Sequence, residues 1–310
     1  ASLKTIHVDI EGNTVISVAR VEISGLRKEE AIQQTALWRC WWHWPNPDEA
    51  PILETIKLDD FEEVVTRSRS GTLLTDDTES VLSATTTYQE QLLPGSNEWL
   101  GRIETGLTLQ SYGHQGVAIG DVNNDGLEDV YICQSAALPN RLYIRDRSGS
   151  LTDVSHAAGV DWLEPTYGVL FLDLDNDGDQ DLALSIDSEV MLMSNDGQGN
   201  FTRRALLQLS QPGYSLSAAD FDIDGDLDIY ACVYYSEKSK PGELAHPLPF
   251  ADATNGGRNV LWRNDDTSES EWQFSDATDE VGLGENNNRW SFAASWEDYD
   301  NDNDMDLYVA

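Results

Sequence analysis

A nine-residue pattern that occurs four times governs what this chain can fold into. Its copies are Asp121-Val-Asn123-Asn-Asp125-Gly126-Leu127-Glu-Asp129, Asp173-Leu-Asp175-Asn-Asp177-Gly178-Asp179-Gln-Asp181, Asp220-Phe-Asp222-Ile-Asp224-Gly225-Asp226-Leu-Asp228 and Asp298-Tyr-Asp300-Asn-Asp302-Asn303-Asp304-Met-Asp306. Side chains at positions 1, 3 and 5 of a tight loop can converge on one point, and a residue tolerant of φ > 0 at position 6 bends the backbone. The carbonyl of position 7 and the carboxylate of position 9 then complete an all-oxygen cage of the kind a hard cation such as Ca²⁺ takes.

Applied to each copy, this logic predicts four calcium sites. The ligands are Asp121, Asn123, Asp125, Leu127 and Asp129 in the first, and Asp173, Asp175, Asp177, Asp179 and Asp181 in the second. The third uses Asp220, Asp222, Asp224, Asp226 and Asp228, and the fourth Asp298, Asp300, Asp302, Asp304 and Asp306. Asn123 keeps a carbonyl ligand at the loss of one charge, and Asn303 is the next best residue to Gly for positive φ. An EF-hand opens in the same way but needs Glu at position 12 and flanking helices. Position 12 here is Ile132, Leu184, Ala231 and Val309, each inside a strand-like run, so the EF-hand is excluded.

The loops begin at 121, 173, 220 and 298, with a Pro- and Gly-containing insertion near 236–258 lengthening the last interval. A strand-like run precedes and another follows each loop, as in Val169-Leu-Phe-Leu and Leu182-Ala-Leu-Ser. Third strands at Arg141, Val190 and Val260 and fourth strands at Leu151, Phe201 and Phe274 complete each unit. Four strands per roughly 50 residues, repeated, is the pattern of β-propeller blades.

Upstream, residues 1–66 read as an antiparallel β-rich segment, which could be the sheet of a small α+β domain. Ile6, Val8 and Ile10 alternate before a Glu11-Gly12-Asn13 turn, Thr14–Ile23 is β-branched, Ile32–Trp44 forms a third strand and Ile52–Leu58 a fourth. Trp38, Cys40, Trp42 and Trp44 share one face of that third strand, either as a packing face or as a platform for sugars. Residues 67–105 are polar at first and read as a linker with a short helix or strand between Tyr88 and Ile103. The propeller blades occupy 106–310.

The net charge of −37 is explained in large part by the 18 aspartates of the loops, and four bound divalent ions would reduce it to about −29. Such a surface excludes nucleic acid as a partner. Cys40, Cys133 and Cys232 give no disulfide framework; the last two fall at the same place in two repeats and read as small apolar core residues. There is no run of 18 apolar residues to span a membrane. A start at Ala1 with no Met or signal-like stretch fits a processed or truncated product as well as a cytosolic one.

The loops, the runs Leu151-Thr-Asp-Val-Ser-His-Ala-Ala-Gly-Val160 and Phe274-Ser-Asp-Ala-Thr-Asp-Glu-Val-Gly-Leu283, and Asn288-Arg-Trp-Ser-Phe-Ala-Ala-Ser-Trp-Glu-Asp-Tyr-Asp300 resemble the FG-GAP/VCBS repeat proteins. The resemblance is strongest to the cartilage acidic protein branch, often associated with an ASPIC/UnbV segment. It implies an all-β, calcium-stabilised, integrin-α-like propeller that is secreted, on the cell surface or periplasmic. Such rings usually have seven blades, so about four blades here read as a fragment of one.

No GxSxG, HExxH, P-loop or GxGxxG occurs, and the five His are scattered, with His246 in the insertion the most suggestive. The expectation is a noncatalytic calcium-binding propeller for recognition of, or adhesion to, a protein or polysaccharide ligand. The alternative is an extracellular polysaccharide lyase or hydrolase built on the same scaffold.

Overall fold

In the computed structural model, residues 2–27, 30–46, 50–67, 75–103, 115–234, 253–268 and 270–310 are described. His246 and most of the 236–258 insertion lie outside them. The chain is almost entirely β, and divides into two units, Ala1–Asp77 and Thr78–Ala310.

The first unit is one antiparallel meander: β1 (Ser2–Glu11), β2 (Thr14–Arg27), β3 (Glu30–His43) and β4 (Ile52–Arg67), in the order β1-β2-β3-β4. β2 and β4 run beyond the Ile23 and Leu58 ends expected from the hydrophobic pattern, because the paired neighbour continues to satisfy their backbone groups. A bulge at Asp60, which takes φ 48°, keeps the last part of β4 in register with β3. Trp42 donates its indole N–H to Ser17 Oγ at 2.8 Å, and Cys40 is buried.

The second unit opens with α1 (Thr78–Leu82), a π-helical turn (Tyr88–Leu92) and α2 (Gly95–Leu100). Part of the segment expected as a linker therefore folds. Leu82, Tyr88 and Leu92 form an apolar cluster with Tyr143 and Leu151, and Gln91 donates to the Pro139 carbonyl while accepting from Arg141.

Three four-stranded sheets follow. They are β5–β8 (Val117–Gly120, Asp129–Ile132, Arg141–Arg145, Leu151–Asp153), β9–β12 (Thr166–Leu172, Asp181–Ile186, Glu189–Asn195, Phe201–Gln208) and β13–β16 (Gly213–Ala219, Asp228–Val233, Val260–Asp266, Gln273–Asp276). The pair β17 (Ala294–Glu297) and β18 (Asp306–Val309) begins the next. Strands within each sheet pair antiparallel in sequence order, and the first strands of successive sheets, β5, β9, β13 and β17, lie side by side. This is the arrangement of propeller blades.

The middle blade shows why its strands are apolar throughout. Every residue of β10 is buried, because both faces of the blade are covered by neighbours, so alternation disappears. One core cluster joins Val122, Tyr131, Leu182, Leu184, Met193 and Phe201 across the first two blades; the next joins Leu174, Leu192, Leu216, Ile229 and Trp272 across the second and third. Toward the inner strands the chains come close together. A Cβ on Gly168 of β9 would stand 3.3 Å from the Leu216 backbone nitrogen of β13. Cys133 and Cys232 are wholly buried free thiols, and burial raises both above the usual thiol range, Cys232 to about 11.

Candidate metal centres

Each nine-residue loop joins the first strand of a blade to the second, and a shared hydrogen-bond frame folds all four. In loop one the carboxylate of Asp121 accepts the N–H groups of Asp125 and Gly126 at 3.0 and 2.8 Å; Asp220 does the same for Asp224 and Gly225, both at 3.0 Å. Asp298 accepts from Asp302 and Asn303, and Asp173 from Gly178 at 3.1 Å. The position 5 carboxylates of Asp125, Asp177, Asp224 and Asp302 accept the N–H of Leu127, Asp179, Asp226 and Asp304 at 2.9 to 3.1 Å. These side-chain-to-backbone bonds replace the ladder bonds that the chain gives up on turning.

Position 9 anchors the loop to the blade. Asp129, Asp181 and Asp228 are buried, and each accepts two backbone N–H groups, one from position 2 of its loop and one from the end of the third strand. Asp306 accepts the corresponding bond from Tyr299 at 2.9 Å. Desolvation outweighs these bonds and raises the carboxyls, Asp181 to about 7 and Asp228 to about 6.

Carboxylate oxygens converge within 4.8 Å of one another in three of the loops: Asp173, Asp175 and Asp181; Asp220, Asp222 and Asp228; Asp298, Asp300 and Asp302. The first loop, with Asn123 at position 3, forms no such all-acidic cluster among the described residues. The convergence raises the neighbouring acids. Burial, then repulsion from Asp177, raises Asp175; burial, then Asp224 and Asp220, raises Asp222; Asp302 raises Asp300. In loop two, Asp173 Oδ1 and Asp175 Oδ1 are buried without a hydrogen-bond partner. These three carboxylates could hold a metal ion, and the all-oxygen donor set fits a hard cation.

Two features of the loops escape the sequence pattern. Position 4 adopts positive φ in all four, at Asn124, Asn176, Ile223 and Asn301 (57° to 64°), alongside position 6. Asn in three of the four loops was the available signal, since Asn tolerates this region and β-branched Ile does not. The second feature is a set of bonds between blades. Asn124 donates to Asp179 Oδ1 at 2.5 Å, and Asn176 to Asp226 Oδ1 at 2.7 Å and to the Gly225 carbonyl at 3.2 Å. The position 7 side chains Asp179 and Asp226, expected only to supply carbonyls, thus receive the preceding loop. Asn195 and Asn264, on third strands, donate back to the position 2 carbonyls of Val122 and Leu174 at 2.7 and 3.1 Å.

The description of the FG-GAP-like repeat matches residues 121–184 and again 173–231, each window running from position 1 of one loop to position 12 of the next. The chain carries FG-GAP-like repeats. A curated relative, cartilage acidic protein 1 of Xenopus tropicalis, is 27% identical over 172 residues, 51% of this chain. The match spans about a quarter (26%) of that relative's length. Among solved structures, an Agrocybe aegerita lectin described as recognising non-reducing terminal N-acetylglucosamine aligns over 96% of this chain and 57% of its own, at 10% identity and a TM-score of 0.35. That value is too low to bear on the fold or function of the FG-GAP-like repeats. No helix among the described residues is long and apolar enough to cross a membrane.

Proposed function

We propose that the four loops are structural calcium sites, and that the blades they rigidify serve as a noncatalytic recognition module for a protein or polysaccharide outside the cytosol. The observation that carries the calcium reading is the orphaned pair Asp173 Oδ1 and Asp175 Oδ1 beside buried Asp181. Asp173, Asp175, Asp177 and Asp181 would hold the ion in loop two, with the corresponding residues in the other loops. Bound there, Ca²⁺ supplies charge neutralisation and no redox or proton chemistry. What the chain itself supplies is the preformed frame. Position 1 and position 5 carboxylates order the turn through backbone N–H groups, and position 9 ties it to the third strand.

An extracellular, cell-surface or periplasmic setting suits this arrangement, because oxygen cages of this kind fill at the millimolar calcium found there. Likeness to cartilage acidic protein 1 supports the same setting. The recognition role rests on the blade scaffold, which presents surface loops, where binding residues are disproportionately found. It is tested by screening the calcium-loaded chain against glycan and extracellular-protein arrays, alongside a polysaccharide-degradation assay. Saturable binding without turnover supports the reading. Calcium-dependent cleavage of a polysaccharide would replace it with a lyase or hydrolase.

A further inference from the structure

The first unit is a single sheet with two unlike faces. Register places Leu3, Val8 and Ile10 of β1 and Ile56, Leu58 and Phe61 of β4 on one side, flanking Val21 and Trp38 of the central strands. The six edge-strand residues are 46% to 62% exposed. The opposite side carries most of the charges, with ion pairs Arg20–Glu22 at 3.0 Å and Lys57–Asp59 at 2.7 Å, while on the apolar side Gln34 donates to Glu63 at 2.6 Å. An exposed apolar face on a sheet marks an interaction surface.

We propose that this face is a homodimer interface, two copies of the chain packing the apolar sides of their N-terminal sheets against each other. Size is the first argument. Strands of 10 to 16 residues, at about 3.3 Å per residue and about 4.8 Å between strands, give a face of roughly 800 Å². That is about the area each partner contributes to a standard stable interface. A second copy presents a surface matched in area and polarity by construction, and a twofold pairing buries both at once. Face-to-face sheets about 10 Å apart interdigitate their side chains, and a hollow of about 150 Å³, lined by Val21, Ile23, Ala36, Trp38, Leu58 and Phe61 with Gln34 and Thr35, provides relief for that packing.

Charge is the second argument. Residues 1–77 hold 8 Lys and Arg against 14 Asp and Glu, only −6 of the chain's −37. The remaining −31 falls in the second unit, so self-association through the first meets the least repulsion the chain offers.

The test is the mass of the whole chain in calcium by sedimentation equilibrium over a range of micromolar concentrations. The account expects twice the 34.5 kDa of the chain, about 69 kDa. Leu3→Lys with Leu58→Lys should halve that mass, while Lys57→Glu on the charged face leaves it unchanged. Retention of the strand signal in circular dichroism shows that the double variant is folded. A wild-type chain that is monomeric throughout overturns the proposal without any variant. A dimer that survives in folded Leu3→Lys/Leu58→Lys places the interface elsewhere and overturns it equally.

Discussion

Replacing Asp181 separates the two jobs assigned to position 9. Its carboxylate accepts the N–H of Leu174 at 2.9 Å and of Asn195 at 2.8 Å, and the residue is wholly buried. In Asp181→Ala both donors lose their acceptor at a buried position. Each unpaired buried N–H costs about 1–3 kcal/mol, so the calcium-free protein should lose about 2–6 kcal/mol. For a unit of this size about 2–4 °C of melting temperature accompanies each kcal/mol. Asp181→Asn keeps one carbonyl acceptor and should fall between Ala and wild type in EGTA. In calcium both variants should show a smaller metal-induced gain than wild type, since both lose a charged ligand. The comparison is made by thermal melts in EGTA and in calcium, well above the carboxyl's pKa of about 7, so that the wild-type group is ionised. Equal melting of Asp181→Ala and wild type in EGTA would refute the structural role.

Three further outcomes follow from the same geometry. Because burial raises Asp181 to about 7 and Asp228 to about 6 from a usual 3.8, the folded apo protein binds more protons than the unfolded chain between these values. Its stability should therefore fall as pH rises from about 4 to about 7, and saturating calcium should remove or reverse that slope, as read from urea midpoints. Asn176→Gly keeps positive φ but deletes the bonds to Asp226 and to the Gly225 carbonyl, and should cost about 1–3 kcal/mol. A cycle with Asp226→Ala should recover a coupling of the same order, whereas strict additivity would show that the bond between blades contributes nothing. Ile223→Asn should raise stability by about 1 kcal/mol by relieving a β-branched residue at φ 61°; a destabilised variant would mean the side chain is held by contacts that outweigh its strain.

How far the fold could be read in advance depended on repetition. The blades were legible because the loop recurs in register with the strands on either side, so position 12 alone, from Ile132 to Val309, rules out an EF-hand. What a single pattern of ligands hides is the work done by residues between them. Positive φ at position 4 and the Asn124–Asp179 and Asn176–Asp226 bonds depend on how one blade meets the next, which no local spacing encodes. Asn195 and Asn264 illustrate the same limit, since each lies at a third strand and reaches a loop more than 70 residues away in sequence. Residues 78–103 were hard to read for another reason. Their helices are short and owe their order to Tyr143, Leu151 and Arg141 of the first blade, not to a helical period of their own.

The central claim is that the carboxylate cages hold calcium and that the metal supports the blades. Calorimetric titration of the decalcified chain, paired with melting in EGTA and in excess calcium, addresses it most directly. The account predicts uptake of about four Ca²⁺ per chain, one per oxygen cage, and a higher melting temperature, each site adding about 2.7 kcal/mol at a free concentration 100 times its Kd. Asp173→Ala with Asp175→Ala should remove one ion from that count. No uptake and an unchanged melt in EGTA would contradict it.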